Sequence, residues 1–344
     1  MRVTPHRAAL VLSLCALLCL AGIILGPLFG STRLDLRQVL DTQRPAADNP
    51  AVRVLLYVRL PRVLAAAVAG AGLAAAGVAF QGLLRNPLAS PYTLGVSSGG
   101  SLGAVLAIRL GLEGVVLLGV PLGPVALPLC ALLGALATVL IVWWLSERAG
   151  AGPVMLLLAG VVVAFIASAL ITLVLYTADF GQTYRIVRWQ MGDLDVMRYD
   201  LVLRMAVPVA MGLVLLLPRG RDLNALGAGP EAAAGLGVDV RRATRRIYFA
   251  ASLTVGAVVS VVGPIGFVGL LVPHALRTLV GPDHRLLLPA SMLCGAPFLI
   301  ACDALGQVIA RPAVLPVGVI TACLGGPVFL AMLMSRRLRA HFWG

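Results

Sequence analysis

Residues 63–84 read VLAAAVAGAGLAAAGVAFQGLL, a run of apolar and small residues without a single charge. A helix needs about 20 such residues to cross a bilayer, and a helix apolar on every side belongs inside protein or lipid. Comparable runs cover residues 8–29, 61–84, 92–110, 120–145, 154–176, 200–217, 246–262, 264–280, 286–304 and 315–334. In lipid each has to be helical, because an open strand would leave its backbone groups unpaired. The sequence therefore predicts an all-α integral membrane protein of about ten transmembrane helices, packed as one compact bundle and one domain over residues 1–344. The first run follows Arg2, His6 and Arg7 as a secretory signal would, but it is too long for one and lacks a small-residue cleavage site.

Composition agrees. Hydrophobic residues make up 60% of the chain, charged residues 12%, and the mean hydropathy is +0.99, against about 25% charged residues in soluble domains. The 27 basic residues are all arginine. A P-loop needs a lysine to reach nucleotide phosphates, so the chain carries no standard ATPase motif. A net charge of +13 would suggest nucleic acid in a soluble protein, yet these arginines sit between apolar runs, where interfacial anchoring and partner docking are their use. Cys15, Cys19, Cys130, Cys294, Cys302 and Cys323 all fall inside apolar runs without a C-x-x-C pair, which indicates neither a disulfide framework nor a zinc site.

Long polar interruptions fall at 31–58, 177–199 and 219–245. In the third, Pro230 suits a first helical turn, Glu231 complements a helix N-terminus, and Gly235 or Gly237 can end the helix. The result is a short Ala-rich helix, able to slot into a cleft of another protein or to serve as a plain linker. Pro87 stops the helix before it, so a break at a membrane face is expected at Asn86-Pro87-Leu88. Gly95, Gly99 and Gly103 recur every fourth residue, a stripe that lets two membrane helices approach closely. Arg59 and Arg62, three apart, share a helical face and are read either as interfacial anchors or as partners for carboxylates on a docking protein. Tyr176, Tyr184, Trp189, Gln190 and Met191 are interfacial residues or the lining of a vestibule. His274, Asp283 and His284 form a polar turn, too sparse for a metal site.

Several of these segments also carry a resemblance. Arg-Leu-Pro-Arg at 59–62, Gln81 with Asn86-Pro87-Leu88-Ala89, and Leu94-Gly95-Val96-Ser97-Ser98-Gly99 resemble the signature of FecCD-like permeases. So do Gly263-Pro264-Ile265-Gly266-Phe267-Val268-Gly269-Leu270, Pro273-His274 with Arg277, Asp283-His284-Arg285, and Leu315-Pro316-Val317-Gly318-Val319 with Gly325-Gly326-Pro327-Val328-Phe329. That family supplies the membrane subunits of ABC importers for iron chelates, haem and cobalamin.

The resemblance implies a homodimer in the bacterial inner membrane, with two ATP-binding subunits on the cytoplasmic side and a periplasmic substrate-binding protein outside. ATP and Mg would belong to those subunits, with no cofactor, catalytic residue, metal ligand or nucleic-acid contact in this chain. An even span count puts both termini on one side, and Arg2, Arg7 and the tail Ser335-Arg336-Arg337-Leu338-Arg339 favour the cytoplasm. The overall arginine bias is weak, so this orientation leans on the resemblance.

By the same likeness the 219–245 segment receives the ATPase, through Leu226, Pro230, Glu231, Ala234 and Gly237. The gate falls to Asn86 and Leu88 with Pro153 and Val154. The fifth span, with Ser168 and Thr172, and the tenth line the path. Arg59 and Arg62 are expected to receive the binding protein; a third arginine is missing where Gln307 stands, and Arg311, one turn on, is its substitute. The cargo expected is an iron–siderophore, then haem, then cobalamin. A self-sufficient ion-coupled carrier is the alternative, although intramembrane ionisable residues, which such carriers need, are scarce: Asp303 and Arg277 are the candidates, both near span ends.

Overall fold

Helix after helix begins at a residue that satisfies the free N–H groups of a first turn. Asn49, Asp179, Asp239 and Asp283 each accept a backbone N–H of the helix they precede, and Pro50, Pro61, Pro153 and Pro230 stand at first-turn positions. A computed structural model describes residues 5–32, 35–39, 49–117, 120–121, 123–150 and 152–334. In chain order the helices are α1 (Pro5–Leu25), α2 (Leu36–Val39), α3 (Pro50–Val54), α4 (Leu60–Leu84), α5 (Val96–Arg109), α6 (Gly123–Arg148), α7 (Pro153–Thr177), α8 (Phe180–Gln190), α9 (Tyr199–Leu216), α10 (Gly220–Gly227), α11 (Pro230–Gly235), α12 (Val240–Val262), α13 (Val268–Val280), α14 (His284–Ile309) and α15 (Val317–Met334). One two-residue antiparallel pair, Val116–Leu117 with Val120–Pro121, joins α5 to α6.

Each of the ten expected spans corresponds to one helix. Seven are long and apolar enough to cross a membrane; Val268–Val280 and the stretch from Val317 to Ala331 are apolar but shorter. The third span starts later than expected, at Val96, because Gly95 takes a left-handed conformation with φ +77°. The eighth starts at Val268 for a similar reason: Gly263 and Phe267 both have positive φ, and Pro264 between them cannot continue the ladder. Arg2, Arg33, Asp41, Arg44, Asp48 and the 335–339 tail lie outside the described residues.

Helix α4 is the buried axis of the bundle. It packs most extensively on α14 and also on α12, α13 and α9. Small residues make this possible. A Cβ on Gly70 would strike the carbonyl of Gly295, and one on Gly77 the carbonyl of Gly269, so α4 lies backbone to backbone against α14 and α13. Gly99 and Gly103 do the same for α5 on α6, where a Cβ would meet Thr138 and the Cys130 carbonyl. By contrast, α1 turns Leu10, Leu14, Leu17 and Leu18 outward, and α7 exposes Leu158, Phe165, Ile166 and Leu173.

Two ends of the bundle result. One, the loop face, carries α10, α11 and the turns at 85–88 and 149–150. The opposite face carries the ends of α1, α12 and α14 and the start of α4.

Candidate functional site

On the loop face α4 ends at Arg85, whose φ of +49° is left-handed. The Asn86 N–H returns to the Gln81 carbonyl at 3.2 Å, and the Asn86 Oδ1 accepts from Leu88 N–H at 2.9 Å, so the expected break is an ordered turn. Gln81 anchors it by donating to the Gly269 carbonyl and accepting from Arg277. Leu88 is exposed.

Within the 219–245 segment the short helix is α11. Gly229 before it needs φ +112°, Pro230 takes the first helical position, and Gly237 beyond it turns left-handed at φ +81°. Leu223, Leu226 and Ala233 are buried, which fixes α10 and α11 to the bundle, while Glu231, Ala234, Leu236 and Gly237 face outward, Leu236 at 72% exposure. The segment ends earlier than expected, since Val240 already begins α12. Pro153, Leu226 and Pro230, assigned separately from the sequence, line one cavity of about 430 Å³ together with Arg85, Glu147 and Arg241. Glu147 and Arg241 pair across it at 2.7 Å. Val154 points away, 71% exposed.

The opposite face is organised by buried arginines. Arg59, 5% exposed, donates to the carbonyls of Pro27, Leu28 and Thr32 in the chain that follows α1. Arg62, 8% exposed, grips Asp303 through Nε at 2.9 Å and Nη2 at 2.8 Å, and Gln307 donates to the same carboxylate at 2.7 Å. Arg311 donates to the Gly30 carbonyl at 2.6 Å. As placed, these guanidiniums serve the chain's own oxygens, and Gln307 fills a structural role beside Asp303. Asp193 stands 3.6 Å from both Arg62 and Arg188, with Asp195 beyond. Burial pushes the Asp193 carboxyl above the usual carboxylate range, against the pull of Arg62.

Between the faces lies a cleft of about 500 Å³ whose wall includes Leu73, Tyr92, Gln190, Met191, Phe267 and Cys323. Gln190 and Met191 thus line this open cleft, whereas Tyr176 and Tyr184 project outward. Ser168 and Thr172 share the exposed side of α7, where Thr172 donates to the Ser168 carbonyl at 3.0 Å, and stand outside the cleft.

A further set of residues was hidden from the sequence reading. Asn224 on α10 donates to Asp283 Oδ1 at 2.7 Å and accepts from the His284 N–H at 2.9 Å, so the expected polar turn docks the loop segment onto α14. Arg285 holds Asp283 from the other side and, with Asn224, depresses its carboxyl well below the usual range. Asp283 had a signal, an Asx residue ahead of a helix; Asn224 had none.

A multi-pass helical bundle with a glycine-seamed axis is an integral membrane protein. The FecCD transport family model matches residues 17–335, and the chain belongs to that family. The resemblance read from the motifs is therefore correct. Among its relatives is the "Cobalamin import system permease protein BtuC" of Halobacterium salinarum, 42% identical over 82% of this chain and 74% of that protein. The "Hemin transport system permease protein HmuU" of Yersinia pestis is 37% identical over 90% of each. The "Uncharacterized ABC transporter permease protein YvrB" of Bacillus subtilis is 42% identical over 84% of this chain and 81% of its own. A solved structure described as "An inward-facing conformation of a putative metal-chelate type ABC transporter" superposes with a TM-score of 0.82 at 30% identity, over 95% of this chain and 99% of that one.

Proposed function

We propose that the chain is the membrane-spanning subunit of an ATP-driven importer for a bulky metal chelate, with an iron–siderophore first in order, haem next and cobalamin third. Two copies form the complex. Two ATP-binding subunits sit against the loop face, which is cytoplasmic together with both termini, and a substrate-binding protein delivers cargo to the opposite face. The observation that carries this reading is the outward row Glu231, Ala234, Leu236 and Gly237 on a segment that Leu223, Leu226 and Ala233 anchor to the bundle. An exposed apolar side chain on an anchored short helix is the kind of feature that a cleft in another protein accepts. The relatives support importer chemistry, and the range of cargoes in their names supports the substrate class.

Asn86, Leu88, Pro153 and Val154 form the gate in this reading, and α7 with Ser168 and Thr172 and α15 line the path between the two copies. ATP binding in the partner subunits biases α10 and α11, and with them the side to which the path opens. Docking of the binding protein falls to the face where Arg59, Arg62 and Arg311 lie. Because those three are satisfied internally, their part is to hold that face in shape. The ion-coupled alternative gains nothing from the geometry: Asp303, the buried carboxylate within a span, is neutralised by Arg62.

Uptake by proteoliposomes holding the chain with its ATP-binding subunits tests the reading. Accumulation of loaded chelate should require ATP hydrolysis and survive collapse of proton and sodium gradients. Uphill transport by the chain alone on such a gradient would overturn it.

A further inference from the structure

Three elements converge on one glycine at the loop face. Asn224 Oδ1 accepts the His284 backbone N–H at 2.9 Å and lies 2.8 Å from the ring Nδ1. Because that oxygen has no proton to give, Nδ1 supplies it, and Nε2 is left bare. Among the described residues Nε2 has no hydrogen-bond partner. It abuts Gly82, where a Cβ would stand 2.7 Å from Nε2 and 3.0 Å from Leu223 Cδ2. Gly82 belongs to the last turn of α4, and its carbonyl accepts from Arg85 N–H at 3.4 Å, immediately before the Asn86–Leu88 turn. Leu223 is fully buried. Helix α10, the start of α14 and the last turn of α4, which leads into the Asn86–Leu88 turn, are therefore in direct contact through Leu223, His284 and Gly82.

The other route from the coupling helices to the gate is loose. Leu226 and Pro230 are separated from Pro153 by the cavity of about 430 Å³, spanned by the surface pair Glu147–Arg241. Close-packed contacts transmit displacement, whereas a void absorbs it.

We propose that Asn224 and His284 are positioning residues for transport: Asn224 orients the His284 ring against Gly82, so that movement imposed on α10 reaches the Asn86–Leu88 turn. The proposal rests on the reading of the 219–245 segment as the ATPase contact.

The test measures ATP hydrolysis and uptake together in proteoliposomes containing the whole complex. Asn224→Ala should assemble and hydrolyse ATP as wild type does, while chelate imported per ATP falls several-fold. Gly82→Ala, which pushes a methyl into the ring and Leu223 from the α4 side, should lower the ratio as well and decides the matter should Asn224→Ala not assemble. An unchanged ratio in Asn224→Ala or Gly82→Ala overturns the proposal alone. A wild-type complex whose uptake ignores ATP overturns the functional reading and this proposal with it.

Discussion

Arg62 and Asp303, 241 residues apart in sequence, form a bidentate ion pair with both side chains buried, at 2.8 and 2.9 Å. The pair ties α4 to α14 at the face opposite α10 and α11, while Asn224 and Asp283 tie α14 to α10 at the other. Helix α14 is thus fastened by polar contacts at both ends and by the Gly70–Gly295 crossing between them.

Removing one member of a buried pair strands the other charge, a loss of about 3–5 kcal/mol. Asp303→Ala is expected to lower the unfolding midpoint of the detergent-purified protein strongly. Arg62→Met with Asp303→Leu leaves neither charge of the pair behind, while Asp193 loses one cation and keeps Arg188 at 3.6 Å, so only part of that loss should be recovered. A double variant as unstable as the single one would show that the pair contributes more than mutual neutralisation.

The pH dependence follows from Asp193. Its folded-state pKa is raised, chiefly by burial and against the attraction of Arg62 and Arg188, with Asp195 and Asp303 adding repulsion. The folded chain therefore holds this proton more tightly than the unfolded chain, and stability falls as pH rises from about 4 through the raised value. Asp193→Asn should flatten that part of the profile of unfolding midpoint against pH. An identical slope in the variant would assign the dependence to another group.

Much of this architecture was legible because its causes are local. The Ala/Gly run of α4, the Gly99–Gly103 stripe and the Gly229-Pro230-Glu231 start of α11 each announce an element through the residues that build it. The breaks at Gly95 and Gly263–Phe267 were less visible, because apolar composition continues across them while the backbone does not. Contacts between distant segments were not legible at all. Arg59 and Arg62 sit three apart, yet one turns to carbonyls in the chain that follows α1 and the other to α14, since each finds a different buried partner. Asn224 and Asp283 carry no periodic signal for a contact across 59 residues.

Glycine positions separate close approach from mere composition. Gly70→Ala places its methyl against the Gly295 backbone, which cannot yield without parting α4 from α14, so a loss of about 1–3 kcal/mol is expected. Gly326, inside α15, has nothing within 4 Å of where a Cβ would stand, and Gly326→Ala should be neutral or stabilising by up to about 1 kcal/mol. Thermal unfolding of the two variants side by side checks the contrast; equal midpoints would refute the backbone contact.

The proposed docking surface on α11 can be separated from the fold in the same spirit. Ala234 faces outward on α11, while Ala233 beside it is fully buried. A tryptophan side chain in place of Ala234 points away from the bundle and fills the space a docking partner would use. Ala234→Trp should therefore leave the unfolding midpoint within about 0.5 kcal/mol of wild type and sharply reduce co-purification of the ATP-binding subunits. Ala233→Trp should instead destabilise the chain itself, by overpacking where α11 meets the bundle. Full retention of those subunits by the Ala234 variant would move the contact off α11 and onto another part of the loop face.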